Sequence, residues 1–195
     1  MTYLKRFRMP TPVTIVGRTS SITNSFVNGI IPVVQPTEDE VRQALTILEM
    51  LDDVRCAYCG DPYTEWDHLR PLVAGKQPTG YISEIHNLVP ACGKCNQSKG
   101  NKPWREWMLS QAPLSPLRRA IPTLEMRIQR LTSYEEWMPP TVLDFSLLLG
   151  PGLWAEHWRN YEQIIALMQQ AEITAAGIRK AVKQSYLAAF PAPQE

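Results

Sequence analysis

Apolar residues recur at helical spacing over residues 37–51, where Val41, Ala44, Leu45, Leu48 and Leu51 share one face. Thr37 followed by Glu40 is the signature of a capping box at the start, and Asp52-Asp53 marks the end. The same period returns later in the chain. Residues 103–111 predict a short helix with Pro103 in its first turn and Trp104 and Trp107 turned inward. Residues 117–131 carry a stripe of Leu117, Ile121, Leu124, Ile128 and Leu131, which Pro122 kinks or restarts. Beyond Pro139-Pro140, residues 153–170 and 174–189 predict two further helices. Between the early and late helices the pattern changes. Residues 66–69 and 81–89 predict two strands, joined by a loop through Gly75, Pro78 and Gly80. A short helix follows over residues 93–99, stopped by Gly100 and Asn101. Residues 1–36 are irregular. Residues 11–16 and 30–34 have strand composition, the second broken by Pro32 and so placed at an edge. The polar stretch between them reads as a surface loop, with Asn24, Ser25 and Asn28 as potential donors to bases or phosphates.

This pattern predicts an α+β chain in which a strand–loop–strand–helix module sits in a mainly helical frame. Three regions follow: residues 1–54, an N-terminal arm and helix; 55–112, the module; and 113–195, a helical region for recognition or dimerisation. With 195 residues and 44% apolar content the chain can build a core, but its net charge of +1 supplies no global field for nucleic acid. Positive charge is local instead: Arg55, Arg70, Lys76, Lys94, Lys99 and Lys102 around the module, and an arm of Lys5, Arg6 and Arg8. Arg118, Arg119, Arg127 and Arg130 either track a polyanion or solubilise their helix. No apolar run is long enough to span a membrane, and no apolar segment follows the basic N-terminus, so a cytoplasmic setting is expected.

The most specific signal is the cysteine spacing. Cys56/Cys59 and Cys92/Cys95 are two Cys-x-x-Cys pairs, and they use every cysteine in the chain. Each pair forms a tight turn aiming two thiolates at one point, and two pairs complete a tetrahedral all-sulfur site of the structural zinc kind. Two disulfides, or unrelated buried thiols, are the other readings of the same residues.

Between the pairs lie Asp67-His68, then Asn87 in HNLVPAC, with Asn96 inside CGKCNQSKG. On these residues the segment resembles the HNH endonucleases of the ββα-metal fold. The resemblance implies an HNH module with a four-cysteine zinc site, and a metal-dependent nuclease acting on double-stranded DNA. It casts His68 as the general base that activates water, and Asn87 as the residue that orients its ring through the neighbouring strand. Asp67 and Asn96 become ligands of a catalytic Mg²⁺ or Mn²⁺. Where the family often has a second histidine this chain has Asn96, so the protein's ligands are all oxygen. Phosphodiester hydrolysis requires an activated water and neutralised phosphoryl charge, which a near-neutral imidazole and a hard cation supply. Arg70, Lys99 and Lys102 are the expected phosphate contacts. His86 is expected to be structural. Asp67 and His68, being adjacent, would face opposite ways on a regular strand, so a local distortion is required.

A restriction-type enzyme is expected, with two active sites for a double-strand cut and hence a homodimer. Phage packaging, homing and antiphage nucleases are alternatives, as is a zinc-stapled DNA-binding protein without catalysis.

Overall fold

The structure, a computed structural model, describes residues 10–62 and 65–190. Lys5, Arg6 and Arg8, the expected basic arm, lie outside the described residues. The chain divides into two compact units. One is Asn24–Gly150; the other comprises the residues up to Thr23 and from Pro151 onward.

In the Asn24–Gly150 unit, α2 (Glu38–Ile47) starts as its sequence dictates. The Thr37 side chain accepts from the Glu40 backbone N–H, and the Glu40 carboxylate accepts from the Thr37 N–H at 2.7 Å. This box satisfies donors that a helix start leaves unpaired. The helix buries Ala44 and presents the adjoining Leu48 to the core, but ends before 51, and Glu49 turns to φ 54°. Strand β1 (Glu65–His68) pairs antiparallel with β4 (Leu88–Ala91), Asp67 opposite Val89 and His68 opposite Leu88. Two short strands, β2 (Val73–Ala74) and β3 (Gln77–Pro78), pair antiparallel within the intervening loop. The hairpin runs into α3 (Gly93–Lys99) and α4 (Trp104–Met108), and α5 (Leu124–Trp137) closes over it. Tyr58, Val89, Trp107, Leu131 and Tyr134 lie in one core, where the Tyr58 and Trp107 rings meet edge to face. The architecture is an α+β ββα module within a mainly helical frame.

Five expectations change. Residues 81–89 are not one return strand: a 3-10 turn over Ile85–Asn87 precedes β4, sending the Asn87 side chain into the interior and the Glu84 carboxylate to Thr141. The helix expected over residues 117–131 begins only at Leu124, because Pro122 has no N–H to donate and restrains Ile121. Residues 11–16 form no strand, and the expected polar loop contains helix α1 (Thr19–Asn28), whose Thr23 and Val27 are buried one turn apart. Packing here overrides the weak helix propensity of Ser, Thr and Asn. Residues 30–34 contribute a parallel bridge, Val33 to Ser83, rather than an edge strand.

Helix α6 (Phe145–Ala189) breaks once, at Gly150 with φ 72° and ψ 162°, and Pro151 restarts it. It then continues through residues 171–173 where a break was expected. Alanine-rich sequence there favours helix, and Gly177 alone does not stop it. Tyr161 on this helix meets the Thr23 hydroxyl at 2.9 Å. Ile164, Leu167, Ala171, Ala175, Ile178, Val182 and Tyr186 follow a 3-4-4 spacing, a near-straight stripe of period 11. Leu167, Ile178, Val182 and Tyr186 are each at least 60% exposed. No helix among the described residues is long and apolar enough to cross a membrane.

Candidate active site

The loop holding Cys56 and Cys59 and the turn holding Cys92 and Cys95 bring their sulfurs together, all within 4.8 Å of one another. The knuckle at Cys56 is closed by Gly60, at φ 81°, where a Cβ would stand 2.5 Å from the Arg127 guanidinium. Arg127 donates to the Cys56 carbonyl at 3.1 Å, and Arg119 donates to the Cys95 sulfur at 3.6 Å. These arginines, together with Arg130 on Glu49, are engaged inside the chain rather than arrayed for a polyanion. Arg118 donates to the Gln111 carbonyl at 3.1 Å. Contacts from Cys56 and then Cys95 pull the Cys59 thiol well below its usual range, while the contact with Cys59 pushes Cys56 up to about 12. Four clustered sulfurs, three of them buried and flanked by cations, fit a tetrahedral zinc ion.

The zinc cluster anchors the hairpin on which the polar site is built. Asp67 and His68 do reach a common cavity of about 450 Å³, because β1 ends at His68. Asn96, from α3, lines the same cavity. Asp67 is buried, 4% exposed, and accepts from the Tyr58 hydroxyl at 2.7 Å. Lys99 is 1% exposed. Its ammonium stands 3.2 Å from an Asp67 oxygen and donates to the His68 carbonyl at 2.7 Å. Burial raises the Asp67 carboxyl against the pull of Lys99, and burial lowers the Lys99 ammonium against the pull of Asp67. For both partners, therefore, desolvation outweighs attraction.

Burial, and secondarily the Lys99 charge, pushes His68 down to about 4, so its ring is neutral at pH 7. The ring's partner is Ser83: His68 Nε2 lies 2.7 Å from the Ser83 hydroxyl. The Asn87 side chain bonds elsewhere. Fully buried, it clasps the next residues of the chain, its Oδ1 accepting from the Arg70 N–H at 2.8 Å and its Nδ2 donating to the Arg70 carbonyl at 3.1 Å. Its own carbonyl accepts from Leu69 at 2.8 Å. Asn87 thus fixes the backbone that leaves His68. Asn96 donates to Glu65 at 2.9 Å.

The expected phosphate contacts fare differently. Arg70 is tied to the Glu135 carboxylate at 3.3 Å and Lys99 to Asp67, so neither is a free surface cation. Lys102 is exposed, and its ammonium rests on the Ser98 and Lys99 carbonyls at the end of α3. Lys76 and Lys94 are exposed. His86 packs on Trp137, ring centroids 4.9 Å apart. Sequence reasoning missed Tyr58 and Ser83 altogether. Tyr58 lies within the first knuckle, where its spacing to Asp67 carries no signal; Ser83 lay in a segment read as plain strand.

A one-carboxylate, one-amide oxygen pair beside an open cavity suits a hard divalent cation. Asp67 and Asn96 offer such oxygens at this cavity, while the Lys99 ammonium stands on Asp67.

Comparison with known proteins bears on the same segment of the chain. The HNH endonuclease family matches residues 56–102. Over an alignment 57 residues long, which covers 27% of its length, the chain is 47% identical to the CRISPR-associated endonuclease Cas9 of Corynebacterium diphtheriae. That alignment spans 5% of the relative's own length. No solved structure matches the chain.

Proposed function

We propose, on the premise that residues 56–102 form an HNH endonuclease domain, that this chain is a metal-dependent endonuclease cutting double-stranded DNA at a specific site, in the manner of a restriction enzyme. The observation that carries the reading is the convergence of His68, Asp67 and Asn96 on one cavity. In the tautomer whose Nε2–H donates to the Ser83 hydroxyl, the neutral His68 ring leaves Nδ1 to take a proton from water. Asp67 and Asn96 would hold the cation, which would offset charge on the phosphoryl oxygens and the leaving oxygen. Tyr58 fixes the Asp67 carboxylate, and Asn87 fixes the backbone beyond His68. Lys102 contacts the DNA backbone, with Arg70 and Lys99 supporting the site from inside. The region up to residue 54 and the region from 113 supply recognition and assembly around a module at 55–112.

A double-strand cut by one site per chain calls for two copies. The exposed stripe of α6 supports such pairing. The first half of the helix carries Glu156, Arg159 and Glu162 and the second Glu172, Arg179, Lys180 and Lys183, with Arg179 paired to Glu172, so the halves differ in the sign of their net charge and antiparallel copies oppose them. Ile178→Glu should then convert a dimer to a monomer in light scattering; a wild type already monomeric at tens of micromolar contradicts this part.

One observation favours a non-catalytic, zinc-stapled DNA-binding module instead: the Lys99 ammonium occupies Asp67. Plasmid nicking in Mg²⁺ or Mn²⁺ against EDTA separates the two. Wild type should nick with metal, and His68→Ala should lose about 10²-fold or more. Equal behaviour of the two proteins ends the enzyme reading. Discrete fragments from a defined DNA mark site specificity, whereas a smear marks a less selective nuclease.

A further inference from the structure

The cavity beside His68 has a wall that lies outside the matched segment. Asn24 and Asn28, four residues apart on α1 and so on one helix face, both line it. Gln97 and Asn101 line it as well. Asn24 and Asn28 are exposed, and their carboxamides make no hydrogen bond with any described residue. This wall is anchored to the site. The Val34 N–H donates to the Ser83 carbonyl at 2.8 Å, the Ser83 N–H donates to the Pro32 carbonyl at 3.2 Å, and the Ser83 hydroxyl meets His68 Nε2. A single residue therefore ties the segment following α1 to the imidazole.

The chemistry of the lining distinguishes two uses. A surface built to grip phosphates carries arginine and lysine. Among the described residues of the lining, the only lysine or arginine is Lys99, held on Asp67. Carboxamides carry a donor and an acceptor side by side, which matches the edge of a base, adenine N6 and N7 above all. The cavity, about 450 Å³, is of the size that encloses a small ligand. We propose that Asn24 and Asn28 read the base edge of a nucleotide at this cavity, adenine being the best match, and so set sequence preference. The placement of that nucleotide beside the cut bond rests on the nuclease reading; the base reading itself does not.

The test separates the two. The zinc-loaded full chain, in Ca²⁺ without Mg²⁺ or Mn²⁺, selects from a pool of randomised duplex DNA, and base frequencies in the bound fraction are sequenced. Wild type should enrich adenine at one or two positions. Asn24→Ala and Asn28→Ala should each flatten one of these by about tenfold, with near-ultraviolet circular dichroism and zinc content matching wild type. Base frequencies unchanged in both variants, an equal loss of affinity for every sequence, or no preference in wild type would each overturn the proposal. Plasmid nicking is run in parallel. A wild type that selects adenine but never nicks refutes the nuclease reading while leaving the base-reading wall in place.

Discussion

The segment of Cys56 to Lys102 and helix α6 are opposites in what makes them fold. The first has strands of four, two, two and four residues and a seven-residue helix; the second is a 45-residue helix interrupted once. Elements so short are not stable by themselves. They are held by sulfurs and by buried polar groups such as Asp67, Asn87 and Lys99. Apart from Phe145 and Tyr161, which are buried, helix α6 is mostly exposed and rests on local propensity, with Trp154, Trp158 and Tyr161 stacked edge to face on one side. A site needs buried polar groups at fixed positions, and tertiary constraints supply them; a long helix supplies reach at little cost in specificity.

The sharpest way to break this contrast is to remove the metal. Cys92→Ser, or a strong chelator, should unfold the Asn24–Gly150 unit while much helical ellipticity survives in α6. Structural zinc binding couples roughly 10 kcal/mol or more to folding. Limited proteolysis with mass spectrometry checks it: cuts should concentrate between residues 24 and 150. A variant that keeps its protease pattern and its nicking activity rules out the structural-zinc assignment.

Next in size is the buried ion pair. Lys99→Met strands the Asp67 charge in a site where its side chain is 5% exposed, and should cost about 3–5 kcal/mol in urea denaturation. Adding Asp67→Asn should recover much of that loss, since both charges then leave the interior together. Because burial outweighs attraction for both partners, the pair is poorly explained as a stabilising device. If the double variant is no more stable than Lys99→Met alone, that account is wrong.

These two expectations also mark what the sequence could disclose. The cysteine pairs, the Asp67-His68 dipeptide, the capping box at Thr37 and the helix at residues 93–99 are written in spacing, and spacing survives without coordinates. Lys99 is different. Its type and its place near the end of α3 resemble any surface lysine, and only the fold turns its ammonium inward onto Asp67. The same holds for Asn87, whose role runs through the Arg70 backbone, and for Ser83, which reaches His68 from fifteen residues away. Helix α1 was illegible because Ser, Thr and Asn favour caps and turns over helix interiors, and only the burial of Thr23 and Val27 decides otherwise. In α6 the periodicity was legible, but the absence of a break near residue 172 was not.

A smaller effect follows from His68. The ring titrates near 6.5 when unfolded and at about 4 when folded. Below pH 6.5 the unfolded chain takes up a proton that the folded ring refuses, so the contribution is fully present above 6.5 and is lost progressively as pH falls to 4. Asp67, raised by burial, acts in the opposite sense, because its folded carboxyl is protonated first as pH falls. Thermal midpoints of wild type and His68→Gln, measured from pH 7 to 4.5, isolate the histidine. The midpoint should fall more steeply in wild type across that window; parallel curves would mean that the ring is solvated rather than buried.

The smallest effect tests the other half of the contrast. Gly177 sits inside α6, exposed, and a Cβ built there meets nothing within 4 Å. If local propensity governs this helix, Gly177→Ala should stabilise it by about 0.5–1 kcal/mol, because alanine has less backbone freedom to lose on folding. The gain should show as a later loss of helical ellipticity in the chelated protein, where α6 is the main helix left to melt. The Asn24–Gly150 unit in the zinc-loaded protein should unfold at an unchanged urea concentration. A Gly177→Ala variant that melts earlier would mean that α6 depends on a close approach at residue 177, and that this helix too is held by tertiary contact.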